Sequence, residues 1–218
     1  MAATAAFIAL VLLASFPGPV VAQGRNPPVQ SAPVPHSVPG AAQPFDPLKV
    51  PVPQKASERK KLLDTLFAYL AAAGSEGEAQ PIAGAIERLW MLNGSDTTAY
   101  LMDRAAKAVG DRNLDLALRF MTEVTELAPD YAEGWNRRAY VFFLMGETDR
   151  ALGDLRRCLA LEPMHYRALE ALAVIFKNSG QKAAALKAYE RLNEIHPNLP
   201  GVQEGLKDMT RAVDGQRT

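Results

Sequence analysis

The chain has one cysteine, Cys158, among its 218 residues. A lone thiol cannot form an intramolecular disulfide, and no zinc-binding cysteine spacing exists. Cys158 falls at an apolar helix position and reads as a small buried hydrophobe. Histidine is also scarce, with His36, His165 and His196 the three present. His165 and His196 each lie beside a helix-ending proline, Pro163 or Pro197, and read as structural or solvent-facing residues. A metal site built on that pair would still need a third ligand. Neither sign of charge is in excess: Lys and Arg number 24, and Asp and Glu 24. That balance removes the clustered positive charge on which nucleic-acid binding leans, so no nucleic-acid partner is expected. Gly-x-Ser-x-Gly, Gly-x-x-x-x-Gly-Lys-Ser/Thr and His-Glu-x-x-His are all missing. No catalytic, metal or cofactor site is therefore expected.

What the chain does have is a repeat. Between Thr98 and Leu199, Ala105, Ala139 and Ala173 recur with a period of 34 residues, as do Ala117, Ala151 and Ala185, and Pro129, Pro163 and Pro197. Apolar positions keep the same phase: Leu101, Trp135, Leu169; Leu118, Leu152, Leu186; Val124, Cys158, Leu192; Leu127, Leu161, Ile195. Within one period Trp135, Ala139 and Phe142 share a helical face, because residues three and four apart lie on one side. Gly146 reads as a stop. A second helix follows with Ala151, Leu152, Leu155, Cys158, Leu159 and Leu161 until Pro163, which lacks an amide donor and clashes with the preceding turn. Alanine at 139 and 151 is small where the two helices must approach closely.

This pattern resembles the tetratricopeptide repeat, whose signature is an aromatic, a Leu-Gly pair and a tyrosine on the first helix, then an alanine, an aromatic and a proline. The resemblance covers 98–131, 132–165 and 166–199. Ala108 stands where an aromatic is usual, Arg104 and Arg138 take the usual leucine, and alanine replaces the glycine in all three copies. The resemblance implies an all-α solenoid of antiparallel helix pairs, with a concave face lined by the first helices that binds a peptide or protein segment. On that face the candidate partner-binding residues are Asn136, Arg137, Tyr140, Phe143, Arg167, Glu170, Val174, Lys177 and Asn178, with Met102 and Ala106 as less polar neighbours. Repeats that grip a terminal carboxylate use Lys and Asn at places that here hold Met102, Ala106, Asn136 and Tyr140, so a carboxylate clamp is not implied.

Residues 1–22 carry no charged side chain and hold an apolar run from Ala5 to Phe16, with Val20 and Ala22 placed for signal-peptidase cleavage after Ala22. The rival reading is an uncleaved membrane anchor, although the run is short against the ~20 residues that a spanning helix needs. From 23 to 54 the chain reads as a proline-rich linker, which forbids helix and favours extended segments. A helical pair is expected over 55–97, with Ser57 as N-cap, a second helix after Pro81, and Asn93-Gly94 as C-cap. Shifted back one period it fits a degenerate repeat capping the stack, except that Glu87 falls where an apolar residue belongs and Ser95 where the proline should be. The alternative is an unrelated helical hairpin. Residues 200–213 read as a closing helix with a polar outer face, and 214–218 as a tail.

These readings converge on an exported, non-enzymatic interaction module, periplasmic or secreted, with membrane contact only if the N-terminal segment stays uncleaved. One alternative is a structural protein that self-associates through the solenoid ends or the proline-rich arm. The other is a metal-dependent hydrolase using His165, His196 and carboxylates. Glu123, Glu126, Asp154 and Glu190, on second helices, are expected on a charged outer face.

Overall fold

The computed structural model describes Pro53, residues 55–92 and residues 95–215. The expected leader, nearly all of the proline-rich stretch, His36 and Asn93-Gly94 lie outside the described residues. Within those residues the regular structure is helical: α1 (Ala56–Ala72), α2 (Glu76–Met91), α3 (Asp96–Gly110), α4 (Leu114–Leu127), α5 (Ala132–Leu144), α6 (Thr148–Leu161), α7 (Tyr166–Asn178), α8 (Lys182–Ile195) and α9 (Val202–Asp214).

The 34-residue period sets the pairing α3–α4, α5–α6 and α7–α8, and each second helix packs on the first helix of the next pair. Ala105, Ala117, Ala139, Ala151, Ala173 and Ala185 are all buried where helices cross. A larger side chain there would hold the backbones apart, which is why alanine keeps the period most faithfully. Each pair turns through the same C-terminal motif. Asn113, Glu147 and Gln181 donate their backbone N–H to the carbonyls of Ala108, Phe142 and Phe176 at 2.8–2.9 Å. The residue before each donor must adopt a left-handed conformation. Gly146 (φ 79°) and Gly180 (φ 73°) do so without a Cβ, but the first repeat places Arg112 there at φ 58°.

The arginine that replaces the usual leucine in the second repeat is accommodated by a matching carboxylate. Arg138 donates to both oxygens of Asp154 at 2.7 and 2.9 Å and to Thr125 Oγ1 at 2.7 Å, tying α4, α5 and α6 together. Asp154 is therefore buried, contrary to the outer-face expectation, because Arg138 draws it inward. Glu123, Glu126 and Glu190 are exposed as expected.

The two ends of the stack are finished differently. On α5, Gly134 and Val141 face α4, against Val124 and Met121; one period earlier α3 carries Tyr100, 62 % exposed, and the exposed Lys107. At the other end α9 closes the stack on α8, so closely that a Cβ on Gly205 would lie 2.3 Å from the Tyr189 ring. The outer face of α9 shows Gln203, Glu204, Lys207 and Arg211 to solvent. This helix starts at Val202 rather than Pro200, because Gly201 forms a left-handed turn (φ 83°) immediately before it.

The α1–α2 hairpin does not continue the stack. Instead α1 packs on α8 and α2 on α5, so the hairpin lies along the edge where repeats join. The fate of one repeat position shows its reach: Ile195 is 2 % exposed, Leu161 half-buried and Leu127 59 % exposed. Placed there, Leu66, Leu70 and Ile86 are fully buried and Trp90 nearly so. At roughly 1.5–3 kcal/mol for each fully buried large apolar side chain, this contact makes the hairpin an integral part of the domain.

Its boundaries also depart from the sequence expectation. Lys55, not Ser57, precedes α1, without a side-chain cap. Ser75 accepts from the Glu78 amide and starts α2 five residues before Pro81. Pro81 is thus inside the helix, and its missing donor leaves the carbonyl of the exposed Gly77 to water. The helix ends at Met91 with Leu92 as C-cap.

The Arg112 turn yields a direct test. Replacing it with glycine removes the Cβ penalty of the left-handed conformation and is expected to stabilise the domain by about 1 kcal/mol, raising Tm by about 2–4 °C. An unchanged or lowered Tm in thermal unfolding would show that the turn carries no strain.

Candidate functional site

The first helices α5 and α7 present two chemically different halves, polar at their N-terminal turns and apolar beyond. The polar half centres on Glu133, in the first turn of α5 and buried. One of its oxygens accepts from Arg137 Nε. The other accepts from Asn136 Nδ2 at 2.9 Å and meets His165 Nε2 at 2.9 Å. His165 Nδ1 in turn accepts the Ala168 amide at 3.3 Å, capping α7, which leaves Nε2 as the donor to Glu133. Burial pushes the Glu133 carboxyl up, but Arg137 and His165 more than reverse this and hold it at about 2, below its ordinary 4.5.

The hairpin lands beside this network. Trp90 stacks on His165, with ring centroids 3.9 Å apart and planes 9° from parallel. Glu87 Oε1 accepts from Tyr166 Oη and from Arg167 Nε, each at 2.7 Å. Arg167 also reaches Glu170 Oε2 at 3.2 Å. Asn198 donates to the Ala73 carbonyl at 2.6 Å and Tyr131 to that of Met91 at 3.1 Å. Hairpin and solenoid enclose a cleft of about 180 Å³ whose wall includes Arg59, Trp90, Tyr131, Ala132 and Glu133. Tyr166 also packs edge-on against His196, with centroids 5.1 Å apart. His196 is buried, its Nδ1 without a hydrogen-bond partner. Burial and the neighbouring Arg167 lower its pKa, Glu87 opposes them, and the result is about 4 against an ordinary 6.5.

The nine candidate residues divide between the halves. Asn136, Arg137, Arg167 and Glu170 do not present free polar groups to a groove. Each is engaged within the chain, because a buried polar group without a partner costs about 1–3 kcal/mol and Glu133 and Glu87 supply the partners. Tyr140, Phe143 and Val174 come together instead, with Val109 of α3 and Leu144, as an apolar strip across three first helices. Tyr140 is its floor, and two dimples of about 10 Å³ each flank the ring, one lined by Met102, Ala106 and Val109, the other by Phe143, Ala171 and Ile175. Lys177 and Asn178 lie exposed at the end of α7, with Lys177 3.5 Å from Asp208 across solvent.

The structure adds Glu133, Glu87, Trp90 and Tyr166, which sequence reasoning missed. The one signal in the sequence was Glu87, the charge that broke the repeat frame. His165 and His196 are both buried, and His165 is committed to a cap and a carboxylate. Among the described residues no three His, Cys, Asp or Glu side chains are grouped to hold a metal. Cys158 is fully buried and its thiol pKa is raised by that burial.

Three stacked helix pairs, a closing helix and a concave face of first helices define an α-solenoid repeat protein. Comparison with known proteins agrees. A family model described as tetratricopeptide repeat matches residues 167–199. A TPR repeat-containing protein of Rhizobium etli is 38% identical over 163 residues, covering 75% of this chain and 80% of that protein. The chain belongs to the tetratricopeptide-repeat family. Among solved structures, the first TPR of Spaghetti (RPAP3) bound to the HSP90 peptide SRMEEVD superposes with a TM-score of 0.52 at 21% identity, over 55% of this chain and 95% of that one. The Arabidopsis OM64 TPR domain gives 0.50 at 14% identity, over 53% and 96%.

Acid should therefore loosen the polar half in two stages. As pH falls from about 6.5 to about 4, unfolded His196 takes up a proton before the folded residue does, and stability drops. From about 4.5 to about 2 the unfolded Glu133 carboxyl is protonated first, with the same sign. The His196→Gln variant is expected to flatten the first stage, worth on the order of 2 kcal/mol. Tm measured against pH checks this; a wild-type Tm constant from pH 6.5 to 4 would contradict it.

Proposed function

We propose that this protein is an exported adaptor that captures an extended protein segment in the apolar half of its concave face. The observation that carries the reading is the partly exposed strip of Val109, Phe143, Leu144 and Val174 over the buried Tyr140, beside Asn136, Arg137, Arg167 and Glu170, which are engaged within the chain. Apolar surface flanked by polar side chains is what an interface core requires. In the RPAP3 complex a TPR domain holds a peptide, which is the precedent for such use of the fold. Export rests on the uncharged N-terminal 22 residues, and it would place the partner in the periplasm or outside the cell. The described helices include none long and apolar enough to cross a membrane. The polar outer face of α9 disfavours self-association through that end of the solenoid, and the burial of His165 and His196 disfavours hydrolysis.

The test is crosslinking and capture from an envelope extract with wild type and the Val174→Glu variant. A charge in the strip is expected to cut capture of the specific partner at least about tenfold, equivalent to ~1.4 kcal/mol, while Tm stays near wild type. Equal capture by both would remove the basis of the reading.

A further inference from the structure

The reading of the apolar strip as a docking surface leads to its occupant. An uncharged occupant suits it, because the basic side chains on the polar side of the strip already have carboxylates, Arg137 with Glu133 and Arg167 with Glu87 and Glu170, and the exposed Lys177 stands only at its margin. The strip also holds two aromatic rings, the partly exposed Phe143 and, beneath it, the buried Tyr140. Aromatic-lined apolar grooves suit polyproline-type segments, whose stiff backbone loses little entropy on docking. This chain carries such a segment. Residues 27–45 include Pro27, Pro28, Pro33, Pro35, Pro39 and Pro44 and contain no Asp, Glu, Lys or Arg.

Its point of attachment is close. The chain enters α1 after Lys55, and Arg59, one turn later, shares a cleft with Tyr131, Ala132 and Glu133 at the start of α5. Tyr140 stands eight residues beyond Ala132, about 12 Å along the helix at 1.5 Å per residue. The ten residues 46–55 can span about 30 Å when extended. A tether of that length holds its ligand at an effective concentration on the order of millimolar, so even a weak contact is populated.

We propose that residues 27–45 of the same chain occupy the strip over Tyr140, acting as an internal ligand that a partner segment must displace. This rests on the docking-surface reading above and fails separately from it. The experiment uses the full-length chain with Ser37→Cys. Buried Cys158 is inert, so a nitroxide attaches at position 37 alone. Amide signals around Val109, Tyr140 and Val174 are expected to be lost through paramagnetic relaxation and to return when Val174→Glu is added. Broadening that is absent, or unaffected by Val174→Glu, overturns the proposal. So does broadening that appears only between chains, when spin-labelled and isotope-labelled copies are mixed, which would make a second copy the occupant. If cis contact is absent while Val174-dependent partner capture persists, the docking surface stands and its internal ligand falls.

Discussion

The clasp of Glu87 by Tyr166 and Arg167, backed by the Trp90–His165 stack, is the contact on which the arrangement of this domain depends. It joins an element from outside the repeats to the first turn of α7. His165 links that turn to Glu133 and so to α5. Remove the hairpin and the buried Tyr166 hydroxyl, Arg167 and the apolar edge at Ile195 all lose their cover. The uncovered apolar side chains would then forfeit their burial, at roughly 1.5–3 kcal/mol for each fully buried large one, while the polar groups would turn to water. The hairpin is thus a structural member of the solenoid, not an appendage to its end.

The same contact shapes the concave face. By engaging Arg167, and through it Glu170, α2 closes the N-terminal half of the first-helix face into a polar interface. What stays open is apolar. A segment docked as proposed would be recognised mainly by shape and by the exclusion of water, with Lys177 and Asn178 as polar groups at one margin. Exposed pairs such as Lys177–Asp208 contribute little on their own.

Much of the architecture was legible in the sequence, and for a physical reason. Alanine at helix crossings and proline after second helices are demanded by geometry that every repeat must satisfy, so they recur in register. The hairpin's position was not legible, because it follows from tertiary contacts made once, with no period to reveal them. Glu87 did signal a departure from the frame, but a misplaced charge says only that the residue is not core, not which arginine it will meet. Pro81 misled in the opposite sense: an isolated proline suggests a boundary, whereas Ser75 caps the helix earlier and the Gly77 carbonyl that Pro81 leaves without a donor is exposed to water. In the groove, the repeat phase put Asn136, Arg137, Arg167 and Glu170 on the first helices and was silent about what covers or pairs with them. Arg138 shows the same limit in the core, where its compensation by Asp154 lies 16 residues away on the facing helix.

The most direct test of the central claim is native-state hydrogen exchange of the described domain in increasing denaturant. If the hairpin is integral, the amides of Leu66, Leu70 and Ile86 exchange through the same global opening, with the same free energy, as those of Ala139 and Ala173 in the repeats. Exchange of the α1–α2 amides at a distinctly lower free energy, with the repeats still protected, would show that the hairpin opens independently and would contradict the account.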